Sequence, residues 1–242
     1  MSLLGKRCII SGGSRGIGLA IARLFAAEGA TCTLIGRNQE ALSTAAESLP
    51  RHNSQDHETV PFDVSNTNYW MKMVADRKTV KCDILVNAAG ISQNSFLFNT
   101  AHGDVSKIIN TNLTGTIWGC KFLVPKMMKQ KEGCIINVSS LMAIHGGRGA
   151  SIYAASKAGI VGLTRSLAWE VGRFGIRANV LLPGYIQTEM TEGMDKNGEL
   201  STLIPMGRLG LVDEVADAAL FLAKNSYAHN CVLNIDGGLS AT

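Results

Sequence analysis

The sequence predicts an α/β fold, a single domain built on a doubly wound parallel sheet, and three observations predict it. Short apolar runs recur almost from end to end of the 242 residues. Longer amphipathic segments with helical periodicity separate them. The runs are apolar on both faces, which fits strands covered by helices on either side. Right-handed crossovers then wind the sheet in two directions.

Taken in order, the strand candidates are "RCIIS" (7–11), "TCTLIG" (31–36), "ETVPFDV" (58–64) and "CDILVNA" (82–88), followed by "CIINVSS" (134–140), "RANVLLP" (177–183) and "CVLNID" (231–236). Between them lie helix-periodic stretches such as "GLAIARLFAAEGA" (18–30) and "KAGIVGLTRSLAWEVGRFG" (157–175). No linker, repeat or low-complexity tract interrupts the alternation, so residues 1–242 read as one domain. The stretch at about 187–210 fits no strand–helix rhythm. It follows the sixth strand, at the carboxyl edge where ligands of such sheets bind, and reads as a substrate lid.

Composition narrows the function classes. Hydrophobic residues make up 46% and charged residues 17% of the chain, so a large buried core is expected. A net charge of +4 from scattered residues argues against nucleic acid as the main partner. The six cysteines form no CxxC pair and no ligand cluster. They imply a reducing compartment and no bound metal. The start "MSLLGKRCII" leads straight into the first strand, leaving no room for a signal peptide, and no apolar run reaches membrane-spanning length. Cytoplasm or mitochondrial matrix is the expected location.

The turn "GGSRGIG" (12–18) stands between the first strand and the first helix, the context in which such glycines accept a pyrophosphate on a helix N-terminus. Gly12, Ser14, Arg15, Gly16, Ile17 and Gly18 form the expected cradle. The second strand ends "GRN", with Arg37 and Asn38 where NAD-binding chains carry an acid for the ribose hydroxyl. A guanidinium suits a 2′-phosphate instead, and Arg15 offers a second positive charge. The pattern favours NADP(H). Asp63 and Val64 end the third strand run, with Asp63 within reach of an adenine, and Asn87, Ala88 and Gly90 of "NAAG" lie where the cofactor crosses the fourth.

"SIYAASKAG" (151–159) places Tyr153 and Lys157 on one helical face. An ammonium beside a phenol lowers its pKa from about 10 and makes it a better general acid. Ser140, at the end of the fifth strand run, is suited to hold a carbonyl oxygen near that phenol; Ser139 is an equal candidate on residue type and position. Asn112, in a helix facing the same edge, is suited to hold a water linking the lysine to solvent.

Together, "GGSRGIG", "NAAG", Asn112, Ser140, "YxxxK" and "PGYIQT" (183–188) resemble the short-chain dehydrogenase/reductase family along essentially the whole chain. The resemblance implies a Rossmann-type seven-stranded sheet, hydride transfer from NADP(H), and an Asn112–Ser140–Tyr153–Lys157 tetrad. It implies that Tyr153 and Lys157 also contact the cofactor, Lys157 through the nicotinamide ribose. It sets Pro183, Gly184, Ile186 and Thr188 beside the nicotinamide, selects Ser140 over Ser139, and implies a homotetramer. Within the family the chain most resembles 3-oxoacyl-acyl-carrier-protein reductases and related quinone- and carbonyl-reducing enzymes. It departs from the former at "SQNS" (92–95), at Ala150 and at "YAHNCV" (227–232).

The expected activity is NADPH-dependent reduction of a 3-oxoacyl thioester, with a quinone, steroid or polyol reductase as the alternative. A non-catalytic nucleotide-binding subunit is the reading from another class, and a complete proton relay argues against it. An acidic acyl carrier protein would be met by basic residues at the cleft rim, with Lys126, Lys129, Lys131 and Arg173 as candidates.

Overall fold

The computed structural model describes residues 2–52, 55–76, 81–195 and 197–241. Its strands are β1 (Arg7–Ser11), β2 (Thr31–Gly36), β3 (Glu58–Pro61), β4 (Ile84–Asn87), β5 (Gly133–Val138), β6 (Ile176–Pro183) and β7 (Val232–Ile235). They form one parallel sheet in the order β3-β2-β1-β4-β5-β6-β7. The order reverses between β1 and β4, so the carboxyl ends of these two strands open a crevice. All seven expected strands are present. The third, fourth and fifth stop short of their predicted ends, which leaves Asp63, Ala88 and Ser140 in the loops beyond them.

The unbroken apolar runs have a direct structural reason. Alternate residues point to opposite faces of a strand, and here each face has its own core. Cys8, Ile10, Ile84, Val86, Cys134 and Ile136 feed one cluster with residues of α1 (Gly16–Ala27), α2 (Gln39–Glu47) and α9 (Val212–Lys224). Ile9, Leu85 and Ile135 feed the other, with α3 (Thr67–Asp76), α5 (Gly115–Gln130) and α7 (Ser151–Val171). Each fully buried Leu or Ile is worth about 1.5–3 kcal/mol. Cys8, Cys32, Cys82, Cys120 and Cys134 are buried as small hydrophobes, and all six cysteines are free.

Buried polar groups tie the layers together. Asn87 Nδ2 donates to Asn137 Oδ1 across the β4–β5 register (2.8 Å), and Asn137 Nδ2 donates to Thr164 Oγ1 on α7 (2.8 Å). Arg177 donates to the carbonyl oxygens of Leu222, Ala223 and Ala228, satisfying the last turn of α9. The helix expected around Asn112 is continuous but uneven. α4 (His102–Ile109) passes into a π-helical turn at Asn110–Thr114 before α5 begins.

The stretch expected as a lid holds one short helix, α8 (Glu199–Leu203), among turns. Its two ends are pinned. Ile186 bridges Gly210, with Gln187 N–H donating to Gly210 O and Gly210 N–H to Tyr185 O (2.9 Å each). Met206 N–H donates to Gly237 O beyond β7 (3.1 Å). Lys196, inside the expected lid, lies outside the described residues. Among the described residues, no helix is long and apolar enough to cross a membrane.

Candidate active site

A cleft of about 920 Å³ opens at the carboxyl edge, where the strand order reverses. Its lining includes Gly12, Ser14, Arg15, Gly16, Ile17 and Gly18 from the glycine turn, Arg37 and Asn38 after β2, Asp63 and Val64 after β3, Ala88 and Gly90 after β4, and Thr188 from the far side. Most of the sequence-predicted cofactor residues therefore converge on one cavity; Tyr153 and Lys157 lie outside its lining, as do four others. The Asn87 side chain points into the core and joins Asn137, because the last residue of β4 faces the helical layer. Ile186 is buried in the core. Pro183 ends β6 as a buried residue, and Gly184 continues the ladder by donating to Ile235 O (2.9 Å).

Two glycines set the width of the cleft. Gly16 has φ +55°, a left-handed conformation, and a Cβ there would project to 3.6 Å from Thr188 Cγ2 on the opposite wall. A Cβ on Gly90 would come within 3.4 Å of both Asn112 Oδ1 and Lys157 Nζ. Side chains at these positions would fill the path of a dinucleotide, so the cradle fits one. Gly90 also marks where the cleft meets the proton-donating groups.

The charges at the adenosine end differ in availability. Arg37 is exposed and has no acidic partner among the described residues. Asn38 Oδ1 accepts from Ala41 N–H (3.0 Å), so it caps α2 as well as lining the cleft. Arg15 is engaged: its guanidinium pairs with Glu189. Asp63 Oδ1 accepts from the N–H (2.9 Å) and hydroxyl (2.7 Å) of Ser65, which fixes the carboxylate in an Asx turn.

Tyr153 and Lys157 lie one turn apart in α7, with Lys157 Nζ 5.6 Å from the centre of the phenol ring. The ammonium is buried and donates to Val138 O at the end of β5 (2.9 Å). Burial pushes its pKa down to about 8. The expected lowering of the tyrosine pKa is not found in the chain alone. Burial raises the phenol, and a hydrogen bond from Ser140 only partly opposes it. The reason is geometric: the ammonium stands over the ring rather than against the oxygen.

The two serines divide cleanly. Ser140 accepts from Met142 N–H (3.2 Å) and turns its hydroxyl toward the phenol. Ser139 is buried and donates to Lys157 O (2.7 Å), which ties β5 to α7 and removes it from the chemistry. Asn112 Oδ1 accepts from Ile91 N–H (2.8 Å), and its Nδ2 donates to Ile91 O (3.0 Å) and Ser156 Oγ (3.0 Å). These bonds hold the loop after β4 against α7 and leave Oδ1 a second lone pair. The π-helical turn widens the helix at that residue, a feature common at functional sites.

Sequence reasoning missed Ser156, whose hydroxyl bridges Asn112 and Tyr153 O (2.6 Å), and Gln93, Lys107 and Glu189, which line the cleft. A serine inside an alanine-rich helix carries no sequence signal for such a bridge, and the other three depend on long-range packing. The basic residues expected at the rim lie elsewhere. Lys126, Lys129 and Lys131 occupy the end of α5 and the turn into β5, and Arg173 precedes β6. They sit toward the amino edge of the sheet, opposite the cleft, because α5 runs antiparallel to the strands.

Residues 12–240 match the family profile described as enoyl-(acyl carrier protein) reductase. The chain is 40% identical to the 3-oxoacyl-[acyl-carrier-protein] reductase FabG of Chlamydia trachomatis, covering 98% of each. It is 39% identical to carbonyl reductase family member 4 of Xenopus laevis, again over 98% of each chain. A solved gluconate 5-dehydrogenase from Burkholderia cenocepacia, in complex with NADP and tartrate, superposes with a TM-score of 0.93 at 31% identity, over 99% of this chain and 97% of that one.

Proposed function

The chain belongs to the short-chain dehydrogenase/reductase family, and we propose that it reduces the 3-oxo group of an acyl thioester to an alcohol with NADPH. The observation that carries this reading is that Ser140 and Lys157 both stand against Tyr153, with Lys157 Nζ beside Gly90 on the wall of a cleft fitted to a dinucleotide. When bound, NADPH supplies a hydride to the carbonyl carbon. Tyr153 Oη gives its proton to the carbonyl oxygen as negative charge grows there. Ser140 Oγ–H holds that oxygen in place. Lys157, anchored to Val138 O, supports the phenolate left behind and faces the cleft at Gly90 to hold a ribose hydroxyl.

The mouth supports an apolar substrate. Met190 lines the cleft and is 42% exposed, and Phe96 and Phe98 stack on each other just beyond the lining residue Ser95. Such walls suit an acyl chain better than a polyol. They also suit a quinone, whose carbonyl the same groups would protonate. As part of the same reading, an acyl carrier protein delivers the thioester and the protein works as a homotetramer. Trp169 on α7, 88% exposed, is an apolar surface that a second copy would cover.

The deciding experiment is a steady-state assay with NADPH and NADH against acetoacetyl thioesters, a quinone and a sugar acid. We expect the highest kcat/KM with the thioester and NADPH; preference for the sugar acid would overturn the reading, and preference for the quinone would replace the thioester. The cofactor preference has its own test. Arg37→Asp should weaken NADPH binding by about tenfold to a hundredfold while NADH changes little, since it removes a forked donor and adds like charge near the 2′-phosphate. Equal shifts in the two dissociation constants, read by nucleotide fluorescence, would remove Arg37 from the phosphate site.

A further inference from the structure

Resting on the reading of Tyr153 as the proton donor, we propose that Gln93 is a positioning residue for that tyrosine. It caps the start of α7 from a distant part of the chain and so fixes where the phenol stands.

A helix leaves its first N–H groups without intrahelical acceptors. In α7 the regular pattern begins with Ala154 N–H donating to Ala150 O (2.7 Å), which leaves the N–H groups of Ser151, Ile152 and Tyr153 to be met otherwise. Ala150 carries no acceptor. Its backbone, at φ −129° and ψ 19°, is also outside the extended region from which a capping side chain reaches the second and third helical residues. A serine placed there would not do the work.

Gln93, in the loop after β4, does it from 60 residues away. Its Oε1 accepts from Ile152 N–H (2.7 Å) and Tyr153 N–H (3.1 Å). Its Nε2 donates to Ser95 O (2.9 Å) and Thr100 Oγ1 (3.1 Å). A carboxamide has two donor hydrogens and two acceptor lone pairs, and all four are used. Donor and acceptor neighbours are sorted to opposite ends, so the amide has only one satisfied orientation. The side chain is buried, at 9% exposure, and Ser95 N–H donates to Gly149 O (3.2 Å), which ties the same loop to the approach to α7. The stretch "SQNS", read above as a departure from the acyl-carrier-protein reductases, thus bonds to residues on both sides of Ala150, another departure.

The chemistry of the cap matters as well. Tyr153 is the third residue of α7, so an error in the first turn moves the phenol directly relative to Ser140 beyond β5. A carboxylate would also accept from these N–H groups, but it would set a negative charge beside a phenol that must become negative. The neutral amide caps without that charge. Gln93 touches no reacting atom; it acts through the backbone of Tyr153.

The test uses Gln93→Met, which keeps length and removes every polar contact, and Gln93→Glu, which keeps an acceptor for both amides. In Gln93→Met we expect kcat to fall by about tenfold to a hundredfold with the substrate KM and the NADPH dissociation constant within about twofold. Hydrogen exchange on the NADPH-free protein should show the Ile152 and Tyr153 amides opening at least about tenfold faster, with slow exchange retained in Gln93→Glu. An unchanged kcat in Gln93→Met, unchanged exchange at the two amides, or kcat, KM and NADPH binding worsening in parallel would each overturn the positioning role. If Gln93→Met does not fold, Gln93→Glu decides alone: fast exchange at the two amides there overturns it. Tyr153→Phe is the control. Turnover retained in that variant would sink the catalytic reading itself, whereas an inactive Tyr153→Phe beside a fully active Gln93→Met would sink only the role of Gln93.

Discussion

Tyr153→Phe is expected to fold, to bind NADPH with unchanged affinity, and to lose turnover by a factor of about 10² to 10⁴, the range that a positioned general acid contributes. The ring keeps its place in α7, because its backbone N–H is held by Gln93 and its carbonyl by Ser156. Only the phenolic oxygen disappears, and with it the partner of Ser140. Steady-state kinetics, with nucleotide fluorescence for binding, separate these effects. A kcat within about threefold of the wild type would mean that the proton comes from elsewhere. The pH dependence should follow from the observed shifts. Burial holds the phenol protonated in the chain alone, so the donor is loaded across the neutral range, and the activity of the reductive direction should fall only on the alkaline side.

How much of this was legible before the structure depends on the kind of information each residue carries. The central strands were readable because they are buried on both faces, so local composition alone marks them. The glycine turn and the Tyr153–Lys157 pair were readable because their chemistry needs fixed spacing within one element. Strand ends were overrun at Asp63 and Ser140, where apolar or small residues continue past the ladder. The protein partners of Asn112 were not legible, because Ile91 and Ser156 reach its amide only through long-range packing. Gln93 stayed hidden for the same reason: a loop glutamine looks solvated until its helix is placed beside it. The lysines of α5 were assigned to the wrong edge because charge is visible in a sequence while direction along the sheet is not.

Lys157→Met should separate stability from function more sharply than any other substitution. Turnover should fall by at least about a hundredfold, since the phenolate loses the ammonium that stands over its ring. The protein should nevertheless become more stable at neutral pH. The pKa of Lys157 falls from an ordinary 10.5 to about 8 through burial. That drop is a penalty of roughly 3 kcal/mol on keeping the charged form folded. Losing the hydrogen bond to Val138 O returns about 1 kcal/mol of it. A net gain of about 2 kcal/mol corresponds to a rise of roughly 4–8 °C in Tm for a chain of this size. The sign of the pH dependence follows from proton counting. Below about 8 both folded and unfolded wild-type chains hold the proton, and the penalty is complete. Between about 8 and 10.5 the unfolded chain binds more protons than the folded one, so wild-type stability climbs with pH. The advantage of Lys157→Met should therefore be constant below pH 8 and shrink above it. Thermal melts of both proteins from pH 6 to about 10 measure this directly. A variant less stable than the wild type at pH 7 would mean that the buried ammonium is held by favourable contacts, and that the site stores no strain for its chemistry.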